Sequence, residues 1–229
     1  MDMVWPRRCV VCGECLDTDE EHLCSDCMED MPLTYFWSWR DNPAEQILWA
    51  RTRLESVVSL FYYSRDNDYR CLLYSLKYKG DIALGRWLGR MLGEKMREAD
   101  CPRPDVIIPV PLHWRRKWRR GYNQAEAIAR GISEGLGDAV PVLPGILIRT
   151  RFNTSQTHIS VGSKWENVSG AFSIRDKNTA AEKLSGRHIL LVDDVLTTGA
   201  TAEACWDVLS AIPGVRVSYA SLAFVARPV

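Results

Sequence analysis

His188 to Cys205 reads "HILLVDDVLTTGATAEAC", and this stretch decides the fold. Four apolar residues, Ile189 to Val192, run into two adjacent acids, Asp193 and Asp194. Thr197-Thr198-Gly199-Ala200-Thr201 follows, and then Ala204, Cys205, Val208, Leu209 and Ile212 recur at helical spacing. The pattern is a buried strand with two acids at its tip, a tight turn, and a helix. The first turn of a helix leaves backbone N–H groups free, and these bind anions well. Gly199 lets the chain fold closely around a ligand, and Thr197, Thr198 and Thr201 add hydroxyl donors without bulk. That half of the motif is a phosphate cup. The acids repel phosphate, so Asp193 and Asp194 must face hydroxyls or a metal: a ribose diol or hydrated Mg²⁺ fits. Phosphate and diol side by side describe a ribose 5-phosphate. The plainer reading is a pair of strand-end acids acting as helix caps. A Walker-type loop is excluded, because no Gly-Lys-Ser/Thr follows the turn.

Working outward, strands alternate with helices. Residues 56–63, "SVVSLFYY", are strand-like, and 69–80, "YRCLLYSLKYKG", form a helical pattern that stops at Gly80. Residues 81–99 place Leu84, Leu88, Met91, Leu92 and Met96 on one helical face. "DVIIPVPL" (105–112) is a short buried strand ending in prolines. Residues 123–136 open with a capping-box pattern, Asn123 followed by Glu126. "VLPGILIRT" holds a further strand, and 216–226 form a closing strand or hairpin. This alternation predicts an α/β fold with a mainly parallel sheet flanked by helices and ligands at the carboxyl ends of the strands. The chain divides into a Cys- and acid-rich unit, 1–45, and the α/β unit, 46–229.

The 229 residues carry 46% apolar and 25% charged residues and no formal net charge, so the total charge favours no class of partner. No segment is apolar enough to span a membrane, and cysteines, acids and arginines interrupt the N-terminus, so no apolar h-region of a secretory signal is expected there. The expected location is cytoplasmic.

Five of the eight cysteines lie between Cys9 and Cys27. In a chain without a signal this favours metal thiolates over disulfides. Cys9, Cys12, Cys24 and Cys27 read as C-x₂-C-x₁₁-C-x₂-C, a tetrahedral thiolate set suited to structural Zn²⁺. Four free buried thiols are the plainer alternative, and an iron–sulfur site is another. Cys15 and His22 leave the register open. Residues 9–27 carry six acids and no Lys or Arg, so this surface repels nucleic acid. It reads as a structural cap or a docking site for a protein partner. "HWRRKWRR" (113–120) is the nucleic-acid candidate, because Trp114 and Trp118 interleave with five basic residues and could stack bases of single-stranded DNA. The plainer reading is a loop that serves an anionic small ligand.

"LLVDDVLTTGAT" resembles the phosphoribosyl-pyrophosphate motif of type I phosphoribosyltransferases. The N-terminal cysteine pairs, "LKYKG" (76–80), "IPVPL…RRGYNQAEAIA" (108–129), "RTRFNTSQT" (149–157) and "ENVSGAF" (166–172) together resemble the competence-associated ComF family, which includes GntX-like proteins. Lys164 departs from an arginine expected there and lacks its bidentate fork. The resemblance implies a phosphoribosyltransferase-like domain that binds phosphoribosyl pyrophosphate with Mg²⁺ and takes part in DNA uptake. By the same resemblance, Val110, Pro111 and Leu112, running into Arg119, Arg120 and Gly121, hold the pyrophosphate. Arg149, Arg151, Thr154 and Gln156 lie on a loop that closes over the reaction centre, with Asp193 and Asp194 on the ribose. Displacement at the anomeric carbon then proceeds by positioning and electrostatics. No general base stands out, with His113 and His158 the candidates. A non-catalytic sensor of the same ligand, or a single-stranded-DNA-binding component of DNA uptake, fits the same residues.

Overall fold

The computed structural model describes residues 6–112, 120–137, 140–150 and 170–226. In chain order the elements are α1 (Ser25–Glu29), a 3₁₀ turn (Phe36–Ser38), α2 (Pro43–Leu48), β1 (Val57–Tyr62), α3 (Arg70–Tyr74) passing into a π-helical turn (Ser75–Lys79), α4 (Ile82–Glu98), β2 (Val106–Pro109), α5 (Gln124–Gly135), β3 (Leu147–Arg149), β4 (Phe172–Ile174), α6 (Lys177–Leu184), β5 (His188–Leu196), α7 (Ala200–Leu209) and β6 (Arg216–Phe224).

Among the described residues β1, β6, β5 and β2 lie side by side in that order, all parallel. The alternation of β5 shows why. Ile189 and Leu191 enter one core layer, with Ala180 and Leu184 of α6 and Ala202, Cys205 and Leu209 of α7. Leu190 and Val192 enter the other, with Leu84, Leu88 and Leu92 of α4 and Ile128 and Ile132 of α5. A strand buried on both faces needs helices on both sides, and parallel crossovers supply them. The closing segment is therefore one parallel strand, β6, and not a hairpin. β3 and β4 form a separate antiparallel pair.

The stripe on α4 is buried as its spacing predicts, except for Met91, which is only partly covered. What the spacing does not show is a second stripe, Gly85, Gly89 and Gly93. A Cβ on Gly89 or Gly93 would meet the backbone of Ile128 or Ile132, and one on Gly131 or Gly135 of α5 would meet the carbonyl of Arg86 or Arg90. The two helices are in backbone contact because neither carries side chains along this seam.

The Cys-rich unit is built into the larger one. Cys9, Leu23, Cys24 and Met31 share a core layer with Leu60, Phe61, Tyr69 and Leu72. Tyr69 donates its hydroxyl to the Cys27 carbonyl at 2.7 Å, Arg90 pairs with Glu21 at 2.9 Å, and His22 packs on Trp87 with ring centroids 5.5 Å apart. Phe36 and Leu48 continue into the opposite layer.

Candidate functional site

The last pairing of β2 with β5 is Pro109 with Val192, closed by the Val110 N–H donating to the Val192 carbonyl at 2.8 Å. Beyond it, among the described residues, β5 has only β6 as a neighbouring strand, with Asp193 opposite Ser221 and Leu196 opposite Phe224. The acids therefore do not sit at the tip of β5, as the sequence suggests; the strand runs on to Leu196. They sit where the neighbouring strand stops, on the carboxyl side of the sheet, the side on which open α/β sheets bind ligands.

The two carboxylates have different surroundings. Asp194 pairs with Lys77, on the π-helical turn, at 3.1 Å. Asp193 accepts the Asp194 N–H at 2.8 Å. Burial, and then the charge of Asp194, push the Asp193 carboxyl up to about 7, against the opposing pull of Lys77 and Arg149. Cys205 and Tyr219 are held well above their ordinary values by burial first and by the Asp193 charge second.

In the adjoining turn Gly199 has φ 79° and precedes α7. A Cβ there would lie 2.5 Å from Leu48 Cδ2, so both backbone conformation and close packing require glycine. Arg51 braces the turn from behind, donating to the Thr198 carbonyl at 3.1 Å and pairing with Glu203 at 3.3 Å. Ala200 begins α7 and Thr201 follows in its first turn, while Thr197 is exposed.

The proline loop follows directly from the end of β2, tied to β5 by the Val110–Val192 hydrogen bond. Val110 is buried, and Pro111 lines a cavity of about 240 Å³ with Arg149, Asn123 and Arg175. Gly121 has φ 80°, and the Arg120 guanidinium lies 5.7 Å from the centre of the Tyr78 ring. The capping box at Asn123 does not form: its side chain makes no cap hydrogen bond and donates instead to the Val110 carbonyl at 3.0 Å, while Glu126 pairs with Arg130. Tertiary demand for a tie between loop and helix overrides the local motif. Among the described residues Arg120 Nε, Asn123 Oδ1 and Gln124 Oε1 are buried without a hydrogen-bond partner, and buried polar atoms left unpaired are few in native proteins. Arg149 sits at the end of β3 over the Phe172 ring, 5.3 Å from its centre.

Arg119, Arg151, Thr154 and Gln156 lie outside the described residues, as do His113, Trp114, Trp118, His158 and Lys164. Residue spacing singled out neither Lys77 nor Arg51. Lys77 lies inside "LKYKG", which stood out as a family motif without a role; only the π-helical turn, ending at Gly80 with φ 73°, aims it at Asp194.

At the N-terminus the Sγ atoms of Cys9, Cys12, Cys24 and Cys27 lie within 4.8 Å of one another, and those of Cys12 and Cys24 are 3.7 Å apart. Zn–S bonds of about 2.3 Å at tetrahedral angles set an S···S edge of about 3.8 Å, so the set fits zinc. Burial acts to raise the Cys9 thiol, but backbone N–H groups of Cys12, Cys24 and Val11 outweigh it and bring it down to about 6. Cys15 is exposed outside the cluster and His22 packs on Trp87.

Comparison with known proteins now adds to this geometry. Residues 1–35 match the double zinc ribbon domain, consistent with a structural zinc. The chain is 29% identical over 209 residues to competence protein F of Haemophilus influenzae, covering 85% of this chain and 86% of that one. It is 30% identical over 200 residues to the DNA utilization protein YhgH of Shigella flexneri, covering 84% and 79%. The chain belongs to this competence protein F and YhgH family. The family extends to competence protein ComFC of Bacillus subtilis, 25% identical over 193 residues, covering 84% of this chain and 67% of the other. Looser structural likenesses run to adenine phosphoribosyltransferase of Leishmania tarentolae, with a TM-score of 0.39 and 15% identity over 81% of this chain and 89% of that one. Among the described residues no helix is long and apolar enough to cross a membrane.

Proposed function

We propose that this protein binds phosphoribosyl pyrophosphate together with Mg²⁺ and acts as a phosphoribosyltransferase on an acceptor. The observation that carries the reading is the acid pair at the point where β2 stops, beside the Gly199 turn that opens α7. The N–H groups of the 199–201 turn and the hydroxyls of Thr197, Thr198 and Thr201 hold the 5-phosphate. Asp193 and Asp194 accept hydrogen bonds from the ribose hydroxyls. Asp194 is freed for this when Lys77 turns toward the ligand's phosphates. Val110, Pro111, Arg120 and Gly121 face the pyrophosphate, where orphaned Arg120 Nε and Asn123 Oδ1 supply unused polar capacity. Arg149, at the near edge, offsets charge developing on the leaving group.

The carboxylate pair and the anionic ligand together form an oxygen donor set that suits Mg²⁺. When bound, the ion would supply positive charge that offsets charge developing on the leaving group. Cys9, Cys12, Cys24 and Cys27 hold Zn²⁺ as a structural centre, and the cytoplasm is the compartment where such thiolates stay reduced. Relatives are named for competence and DNA utilization, which supports placing this activity in the handling of incoming DNA.

Calorimetry tests the reading. The native protein should bind phosphoribosyl pyrophosphate only with Mg²⁺, and changing Asp193 and Asp194 to Asn should weaken it by roughly 1.5–3 kcal/mol per lost charged hydrogen bond. Absence of binding, or a double variant that binds as well as the native protein, overturns it. A screen of acceptors for release of pyrophosphate then separates an enzyme from a sensor.

A further inference from the structure

A second cavity adjoins the candidate ribose site. About 540 Å³ in volume, it is lined by Tyr63, Arg70, Tyr74, Lys77, Tyr78 and Thr197, over a floor of Leu73, Val195 and Val225. Lys77 and Thr197 belong to both sites: the first pairs with Asp194, and the second opens the turn before α7. Anything seated here is therefore next to the ribose.

Its chemistry is specific. Tyr74 and Tyr78 are 56% and 62% exposed, and their rings pack on each other with centroids 5.1 Å apart. Large aromatic rings left in solvent beside a cavity favour a planar ligand, which stacks on them and on the apolar floor. Among the described residues no acid lines the cavity. Of its two cations Lys77 is neutralised by Asp194, and Arg70 makes no ion pair among the described residues; its guanidinium donates to the Arg65 carbonyl at 2.6 Å and stays exposed. A planar fork of donors at the rim matches a carboxylate. The π-helical turn that carries Lys77 and Tyr78 is what places both side chains here, since such turns are rare and cluster at functional sites.

We infer that this cavity is the acceptor pocket, and that the acceptor is a flat aromatic ring bearing a carboxylate. The inference rests on the proposed phosphoribosyltransferase reading. In the step it implies, a ring nitrogen's lone pair forms the new bond to the anomeric carbon of phosphoribosyl pyrophosphate. The bond from that carbon to the pyrophosphate oxygen breaks, and pyrophosphate leaves with its electron pair. A ring nitrogen that carries a proton releases it to solvent.

Matched ring pairs test this by calorimetry on the full chain with Mg²⁺ and phosphoribosyl pyrophosphate present: nicotinate against nicotinamide, and orotate against uracil. Carboxylated rings should bind about tenfold more tightly than their neutral partners, the ratio expected of one charge-assisted hydrogen-bond pair. Arg70→Gln, at an exposed position, should reduce that ratio to below threefold while the thermal midpoint stays unchanged. Tyr74→Ala should weaken both members of each pair. Equal affinity for charged and neutral rings, or an Arg70→Gln protein that keeps the full ratio, overturns the proposal. Phosphoribosyl pyrophosphate binding is titrated separately. A protein that binds it but no ring loses the acceptor pocket alone; a protein that binds neither loses the parent reading as well. Tight binding of a thymidine oligonucleotide, abolished by Tyr78→Ala, with no binding of any free ring would likewise overturn it in favour of a strand-stacking surface.

Discussion

Asp193 is costly in the ligand-free protein. Its carboxyl titrates at about 7 in the folded state, against about 3.9 in an unfolded chain. The folded state thus holds the proton more tightly. The stability this gives is fully present below pH ~4 and is lost as pH rises through 7, where an ionised, poorly compensated acid remains. Asp193→Asn keeps the oxygen that accepts the Asp194 N–H and removes the charge. It should stabilise the free protein at pH 8 by on the order of 1–2 kcal/mol, a shift discounted for partial exposure, and by little at pH 4. Urea unfolding at the two pH values checks this, and a variant less stable at pH 8 contradicts it. The same substitution should weaken phosphoribosyl pyrophosphate, so gain in stability and loss of ligand go together, as at many functional sites.

At the scale of elements, α4 and α5 are held by the absence of side chains. A Cβ on Gly131 falls well inside contact distance of the Arg86 carbonyl and of backbone at Arg90, neither of which can move without the helix. Gly131→Ala should therefore destabilise by about 3 kcal/mol or more, despite alanine's better helix propensity. Gly13→Ala, in open space but at φ 81°, should cost only about 1 kcal/mol. Thermal or urea midpoints of the two variants decide it. The basic stretch 113–120 has two candidate uses. If Arg115 and Arg116 both neutralise phosphates of a single strand, removing them flattens the salt slope of oligonucleotide binding by about 1.4. We expect instead that Arg120, which lies over the Tyr78 ring, weakens phosphoribosyl pyrophosphate binding when changed to Ala. Trp118→Ala should lower stability; a stable Trp118 variant that selectively loses single-stranded DNA would reverse that assignment.

For the whole molecule, the Cys-rich unit is a wall of the core rather than a detachable finger. Cys9 and Cys24 are buried in the same layer as Leu60, Phe61 and Leu72. Structural zinc is worth about 10–16 kcal/mol to isolated fingers. Chelation should therefore loosen more than residues 1–45: hydrogen exchange should accelerate in β1 and α3 as well. Acceleration confined to the first 45 residues would show the two units to be thermodynamically separate. One zinc per chain is expected by elemental analysis, lost on changing Cys9 but retained on changing Cys15.

The strand-turn-helix around Asp193, the burial of β5 on both faces, the four-cysteine set and the helical stripe of α4 are all legible in residue order, because each depends on local periodicity or on ligand spacing. Gly199 is legible as a turn residue, though not as the floor under Leu48. Tertiary structure alone decided the rest. The end of β2 at Pro109, not the end of β5, fixes where the acids open to a ligand. A π-helical turn carries Lys77 to Asp194 across 117 positions of sequence. Asn123 abandons its cap to tie Val110. The asymmetry of the two acids comes from which layers they face, and such layers exist only after distant segments have packed. Periodicity shows that a side chain is buried; only the packed chain determines which partner it meets there.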